Sequence, residues 1–262
     1  MRKITALLLA MLGAHPAFGW GVEGHQLVVR IAEGLLSPAA KTDVRGALAP
    51  GEKLEDLASW ADEVRRTHRE MEPWHFVDVP LGSAAFDWQR DCAPDDCIVA
   101  KIPAFEKTWQ DRTANAAARR EALLFLAHFA GDLHQPLHCA DNHDKGGNDV
   151  AVNFLGEATK LHTLWDSGLI NHMPEEEALF AMLQQAITPQ RVAEWSAGTP
   201  EQWCNESFHA AEATVYGLLP PHATGAPVEL GESYARAAQP VIEVQIEKAG
   251  VRLAAILNRS VR

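Results

Sequence analysis

Between His128 and Asp166 the chain reads HFAGDLHQPLHCADNHDKGGNDVAVNFLGEATKLHTLWD, with more imidazole and carboxylate than folding alone requires. His128 and Asp132 stand four residues apart, and so do His162 and Asp166. On a helix, residues i and i+4 share a face, so each pair presents a ring nitrogen and a carboxylate to one point. Pro136 stops the first helix, and His138 follows where the chain can turn back. One His-x3-Asp pair alone is ordinary polar helix surface. Two pairs plus His138 in a single stretch outweigh that reading. Imidazole with carboxylate is the donor set that suits zinc.

The 262 residues carry no internal repeat and have 47% hydrophobic against 22% charged side chains, which is ordinary for one domain with a sizeable core. Residues 1–19 differ from the rest. Arg2 and Lys3 precede an apolar run from Ile4 to Leu12, and Ala17-Phe18-Gly19 places small residues where a signal peptidase cuts before Trp20. The expectation is a signal peptide over 1–19 and an exported unit over 20–262, secreted or periplasmic. The apolar run is too short for a membrane anchor, and no later segment is long enough to span a bilayer.

Four cysteines agree with an oxidising compartment. Cys92 and Cys97 flank a short loop with Pro94 and are expected to pair. Cys139 and Cys204 then pair by elimination, with a free thiol or a metal contact at Cys139 as the competing reading. The net charge of −12 becomes more negative once Arg2 and Lys3 leave. Such a surface offers no basic track for duplex DNA, so any attraction for a phosphate ester has to be local.

Periodicity gives a mainly α chain. Apolar spacing predicts helices over Leu27–Leu36, from the Ser37-Pro38 cap, over Leu54 to about Arg69, and most strongly over Ala114–Leu133. Pro73 to Pro103 reads as a long disulfide-stapled loop, Asp144–Asn148 as a glycine-rich turn, and Val150–Phe154 as a short extended piece. Helices follow near 158–170, 175–187, 200–218 and 231–257, with a connection over Pro220–Pro227. His68, His134, His143, His172, His209 and His222 read as surface or capping residues.

Collected in order, the candidate ligands are Trp20, His25, Asp62 in WADEVR, His75 in PWHFVD, His128, Asp132, His138, His162 and Asp166. This order and its flanking phrases resemble the S1/P1 nuclease family, zinc-dependent enzymes related to bacterial zinc phospholipases C. The similarity covers essentially everything from Trp20 onward. It implies a single-domain helical phospholipase C/P1 nuclease-like fold with long loops, holding three zinc ions. One ion takes Asp62, His75, His128 and Asp132; a second takes His138, His162 and Asp166. The third takes the α-amino group and carbonyl of Trp20, His25 and Asp132, so that Asp132 bridges. Three dications in one cleft repel, and carboxylates are needed to neutralise them. An α-amino group ligates only after losing a proton whose ordinary pKa is about 7.7–8, which couples the site to leader removal.

The resemblance implies hydrolysis of single-stranded DNA and/or RNA to 5′-nucleotides, with 3′-nucleotidase activity, by a zinc-bound hydroxide that Asp62 and Asp132 position. It places a base against Phe76, where core packing is the rival reading, with Asp78 at the base edge. Lys145 departs from the apolar residue that fungal members carry before GGN and is read as meeting a phosphate, while Asn148 orders the loop. A monomer with no protein partner is expected. The alternatives are a zinc phospholipase C on the same scaffold, against which the chain has Asp166 where that branch tends to carry Glu, or a non-catalytic zinc-binding protein.

Overall fold

The computed structural model describes residues 20–221 and 225–260; the expected leader over 1–19 and His222 lie outside them. In chain order the helices are α1 (Val22–Leu35), α2 (Pro38–Ala47), α3 (Trp60–Arg65), α4 (Trp88–Asp91), α5 (Ile98–Gln110) and α6 (Ala116–Asp132). They continue as α7 (Leu161–Thr163), α8 (Glu176–Ala186), α9 (Pro189–Trp195), α10 (Pro200–Ala210) and α11 (Glu232–Arg259). The mainly α expectation holds.

Helix α6 is the centre of the core. Asn115 caps it, its Oδ1 accepting from the Ala118 N–H at 2.9 Å, and every residue from Ala122 to Asp132 is buried. A helix covered on all sides packs on several neighbours at once. Phe125 and Phe129 lie on it, with Phe105 of α5 stacked on Phe125 at 4.5 Å between centroids. Helix α11 runs along α1, and the approach depends on Gly250. The far end of α6 is tied to α10 and α11 by a buried polar network. Ser207 donates to the Leu133 carbonyl at 2.6 Å, and Gln245 donates to the His134 carbonyl at 2.9 Å. Arg252 donates to His134 Nε2 at 2.7 Å and to both oxygens of Glu206.

A small sheet of order β2-β1-β3 carries the chain from the glycine-rich turn to α7. Strands β1 (Ala151–Phe154) and β2 (Glu157–Lys160) form a hairpin, and β3 (Val228–Leu230) joins β1 in parallel. The hairpin turn puts Leu155 and Gly156 at φ 53° and 89°, positive at both positions as such two-residue turns require.

Several expectations need correction. The helix over Leu54–Arg69 is interrupted: a 3₁₀ turn at Glu55–Leu57 precedes α3, and a second 3₁₀ segment spans Arg69–His75 with Pro73 inside it. The loop over 73–103 contains α4 and the start of α5, because Asp87 caps α4 by accepting from Gln89 and Arg90. The helix near 158 begins only at Leu161, since Glu157–Lys160 is strand. The 200–218 helix is α10 followed by a π turn, Ala211–Tyr216, and α9 and β3 were not foreseen. Cys92 and Cys97 are bonded, but Cys139 and Cys204 are buried free thiols. Cys139 Sγ lies 3.6 Å from the Leu133 carbonyl and beside the unbonded Cys204 thiol, and burial pushes the Cys139 thiol up, away from the thiolate that a metal contact needs.

A Cβ added at Gly250 would lie 2.4 Å from Ile31 Cγ2 and 3.1 Å from the Val28 carbonyl. Gly250→Ala is expected to destabilise the fold by about 1–3 kcal/mol through overpacking of α1 against α11. Urea unfolding measures it, and an unchanged midpoint would contradict this packing.

Candidate metal centre

Eight of the expected ligand side chains converge beside the last turn of α6, and all are buried. Helix α6 supplies His128 and Asp132, α1 supplies His25, and α3 supplies Asp62. The 3₁₀ segment Arg69–His75 ends on His75, and the 3₁₀ turn Pro136–Cys139 carries His138. His162 lies in α7, and Asp166 in the π turn Leu164–Gly168 that continues it. Among the described residues, three groups bring their donor atoms within 4.8 Å of one another: His25/Asp62/His128, His75/His128/Asp132 and His138/His162/Asp166.

Local sequence sets these approaches. His25 packs flat on His128, centroids 4.1 Å apart, and reaches α6 only because residue 131 is glycine. A Cβ there would stand 2.5 Å from His25 Nδ1. Gly146 sits at φ 58°, with space for a Cβ blocked by the Leu137 carbonyl at 2.7 Å, and its own carbonyl faces His162. Trp20 is fully buried, and the next amide, Gly21 N–H, donates to the Asp166 carbonyl at 2.7 Å. The chain entering α1 is therefore pinned beside the Asp166 end of the cluster.

Four rings share one hydrogen-bonding pattern. Nδ1 of His75, His128, His138 and His162 meets the backbone carbonyls of Met71, Ala58, His75 and Gly146 at 3.0, 2.9, 2.8 and 2.6 Å. Each Nδ1 must carry a proton, so in each ring that is neutral Nε2 is left as a lone pair. Those four Nε2 atoms, both nitrogens of His25 and both oxygens of Asp132 are buried without a hydrogen-bond partner, and Asp62 Oδ1 is ion-paired with Arg65 at 3.0 Å. They face one another: His128 Nε2 lies 3.1 Å from Asp132 Oδ2 and 3.7 Å from Asp62 Oδ1, and His25 Nε2 lies 3.4 Å from Asp132 Oδ1. Lone pairs of both kinds aimed at common points suit divalent cations. The donor set, all nitrogen and oxygen with fixed tautomers, fits zinc.

Burial pushes His75 and His162 down to about 3 and lowers His25 and His138, so these rings are neutral at pH 7. Burial opposes charge on His128 too, but Asp132 and Asp62 outweigh it and push His128 up to about 9. Burial favours a neutral Asp132, yet the charge of His128 beside it holds it well below the usual carboxylate range. For Asp166 burial prevails and pushes its carboxyl well above that range.

The expected substrate residues fall around the cluster, outside the three donor groups. Phe76 is half-buried directly after His75. Asp78 is exposed by area, yet surrounding atoms, together with Asp141, Asp144 and Asp91, push its carboxyl up to about 6. Asn148 donates to the Lys145 carbonyl at 2.9 Å and so orders the GGN turn. Lys145 is exposed and paired with Asp149 at 3.1 Å. Sequence reasoning missed three residues. Arg65 is buried with its guanidinium 3.0 Å from Asp62, and its charge reaches His75, His138, His162 and Asp166. The i,i+3 spacing from Asp62 is the signal that pointed to it. Gln135 is buried between ligands, and His134, expected at the surface, is fully buried under Arg252.

A family profile described as S1/P1 Nuclease matches residues 20–262. Endonuclease 2 of Arabidopsis thaliana is 31% identical over 99% of this chain and 96% of its own length. Nuclease S1 of Aspergillus oryzae is 30% identical over 97% of this chain and 96% of its own. Nuclease P1 of Penicillium citrinum is 31% identical over 91% and 97% respectively.

The depressed imidazoles set a pH dependence for the metal-free protein. A histidine held neutral at a folded pKa of about 3, against 6.5 when unfolded, stabilises the fold fully above pH 6.5. That contribution is lost as pH falls from 6.5 toward 3, because the unfolded chain then binds the extra protons. Thermal melts of chelator-treated protein should show Tm falling through this window; a Tm flat from pH 7 to 4 would contradict the buried neutral rings.

Proposed function

The chain belongs to the S1/P1 nuclease family, and from that premise we propose an exported, zinc-dependent phosphodiesterase that cuts single-stranded DNA and/or RNA to 5′-nucleotides and removes phosphate from 3′-nucleotides. Family and relatives together make it a nuclease, a hydrolase acting on nucleic acid. The observation that carries the finer reading is the set of buried, orphaned Nε2 and carboxylate lone pairs facing each other across Asp132.

Three zinc ions would be held as follows: one by Asp62, His75, His128 and Asp132, one by His138, His162 and Asp166, and one by Trp20, His25 and Asp132. When bound, zinc supplies Lewis-acid charge and lowers the pKa of bound water to about 7, so that a nucleophile is available near neutrality. The chain's own groups do the rest. Asp132 and Asp62 hold the charge balance of the centre and orient what attacks phosphorus. Arg65 adds a fixed positive charge to the same wall, suited to a phosphoryl oxygen as negative charge builds on it. Phe76 offers a face for an unstacked base, which favours single strands, and Asp78 its edge. Lys145, already paired with Asp149, meets a phosphate only by exchanging partners.

The third ion ties function to export. The family match begins at Trp20, whose side chain is buried against Gly24 of α1, the residue before His25. Removal of residues 1–19 would free the α-amino group there. No helix of the described residues is long and apolar enough to cross a membrane, in keeping with a released product. We take the protein to act as a monomer.

Asp132→Asn is expected to lower single-strand cleavage by more than about 100-fold, beyond the usual cost of disturbing an outer partner of a metal ligand. Side-by-side assays on single-stranded DNA, RNA, duplex DNA, a 3′-mononucleotide and phosphatidylcholine test the substrate class. Cleavage of single strands to 5′-phosphates, abolished by chelation and restored by zinc, supports the reading. Hydrolysis of phosphatidylcholine without nucleic-acid cleavage would replace it with the phospholipase alternative.

A further inference from the structure

Gln135 is fully buried between two candidate ligands, and each of its four polar groups is engaged. Its backbone N–H donates to the Asp132 carbonyl at 3.0 Å, and its own carbonyl accepts from the His138 N–H at 2.9 Å. Its side-chain Oε1 accepts from the Leu137 N–H at 2.6 Å, at the start of the turn that carries His138. Its Nε2 donates to Asp166 Oδ1, also at 2.6 Å. The chemistry fixes the amide's orientation: a backbone N–H needs the oxygen, and a carboxylate needs the NH₂. Asp132, His138 and Asp166 thus meet on one residue that touches no substrate.

We infer that Gln135 is a positioning residue for the second metal: one buried amide sets the plane of the Asp166 carboxylate on one side and the placement of His138 on the other. This rests on the metal reading above. Asp166 and His138 come from segments far apart in sequence, and the Gln135 amide links the turn of His138 to Asp166. With the amide lost, the carboxylate is free to rotate about its Cβ–Cγ bond, and ordering it again has to be supplied by metal binding. Outer partners of metal ligands typically contribute about 10–100-fold in affinity, and that is the size expected for Gln135.

The test is Gln135→Met, which keeps shape and volume while removing both hydrogen bonds. Purified wild type and variant are titrated with zinc against a chromophoric chelator, and melts are recorded with and without zinc. The expected result is one zinc equivalent bound about 10- to 100-fold more weakly, the remaining zinc unchanged, and a Tm loss concentrated in the zinc-loaded form. Equal weakening of all bound zinc, or an equal Tm loss with and without zinc, would mark a merely structural role and overturn the inference. If Gln135→Met does not fold, Gln135→Glu serves, since it keeps the acceptor for Leu137 and sets a carboxyl group against Asp166 in place of the amide donor. The same site-selective loss is expected of it, and wild-type affinity would refute the role. A wild-type protein that binds no zinc overturns the metal reading together with this one, whereas zinc held equally by wild type and variants overturns Gln135 alone.

Discussion

The structure depends on one electrostatic problem: Asp132 sits at the end of a fully buried helix with both carboxylate oxygens lacking hydrogen bonds, facing imidazole lone pairs. Each buried, unsatisfied polar group costs about 1–3 kcal/mol. Several together rival the whole net stability of a domain, about 5–15 kcal/mol. Protein atoms do not resolve this, because the backbone carbonyls around the centre are engaged by Nδ1 protons and so fix the tautomer that leaves Nε2 bare. Divalent cations would resolve it, and folding and metal binding would then be two sides of one equilibrium; the neutral, acid-sensitive rings follow from the same burial.

The helices serve that centre in different ways. Helix α6 is rigid because it is covered on every side and its last carbonyls are held by Ser207, Gln245 and the His134–Arg252–Glu206 network. His25 arrives through a close approach that only glycine at 131 permits, and His162 is aimed by the carbonyl of Gly146. His75 and His138 are on 3₁₀ turns, and Asp166 is on a π turn, so three candidate ligands lie where the chain departs from regular helix. Such departures re-aim side chains that a continuous helix would point elsewhere.

What was legible in the sequence is what depends on local spacing. His128 with Asp132 follows from helix periodicity, and Ser37-Pro38 from cap chemistry; both stand as read. Trp20, His25, Asp62 and His75 came from family resemblance, since nothing local distinguishes a ligand histidine from any other. The misreadings have local causes. Glu157–Lys160 has helix-tolerant residues, and the Leu155-Gly156 turn that makes it a strand was overlooked. Helix α5 was hidden by Pro103 and the neighbouring cysteines. The rest is non-local: His134 is buried because Arg252 comes over it from α11, and Cys139 and Cys204 lie beside each other as free thiols. Gln135 is visible only once the candidate ligands it links are in place, and Arg65 only through its i,i+3 spacing from Asp62.

Anomalous diffraction at the zinc absorption edge, from crystals of the purified protein, tests the central claim most directly. The account predicts peaks bonded to Nε2 of His75, His128, His138 and His162, with Asp132 between two of them. An absence of peaks, with Asp132 and the rings instead bonded to one another or to water, would contradict it.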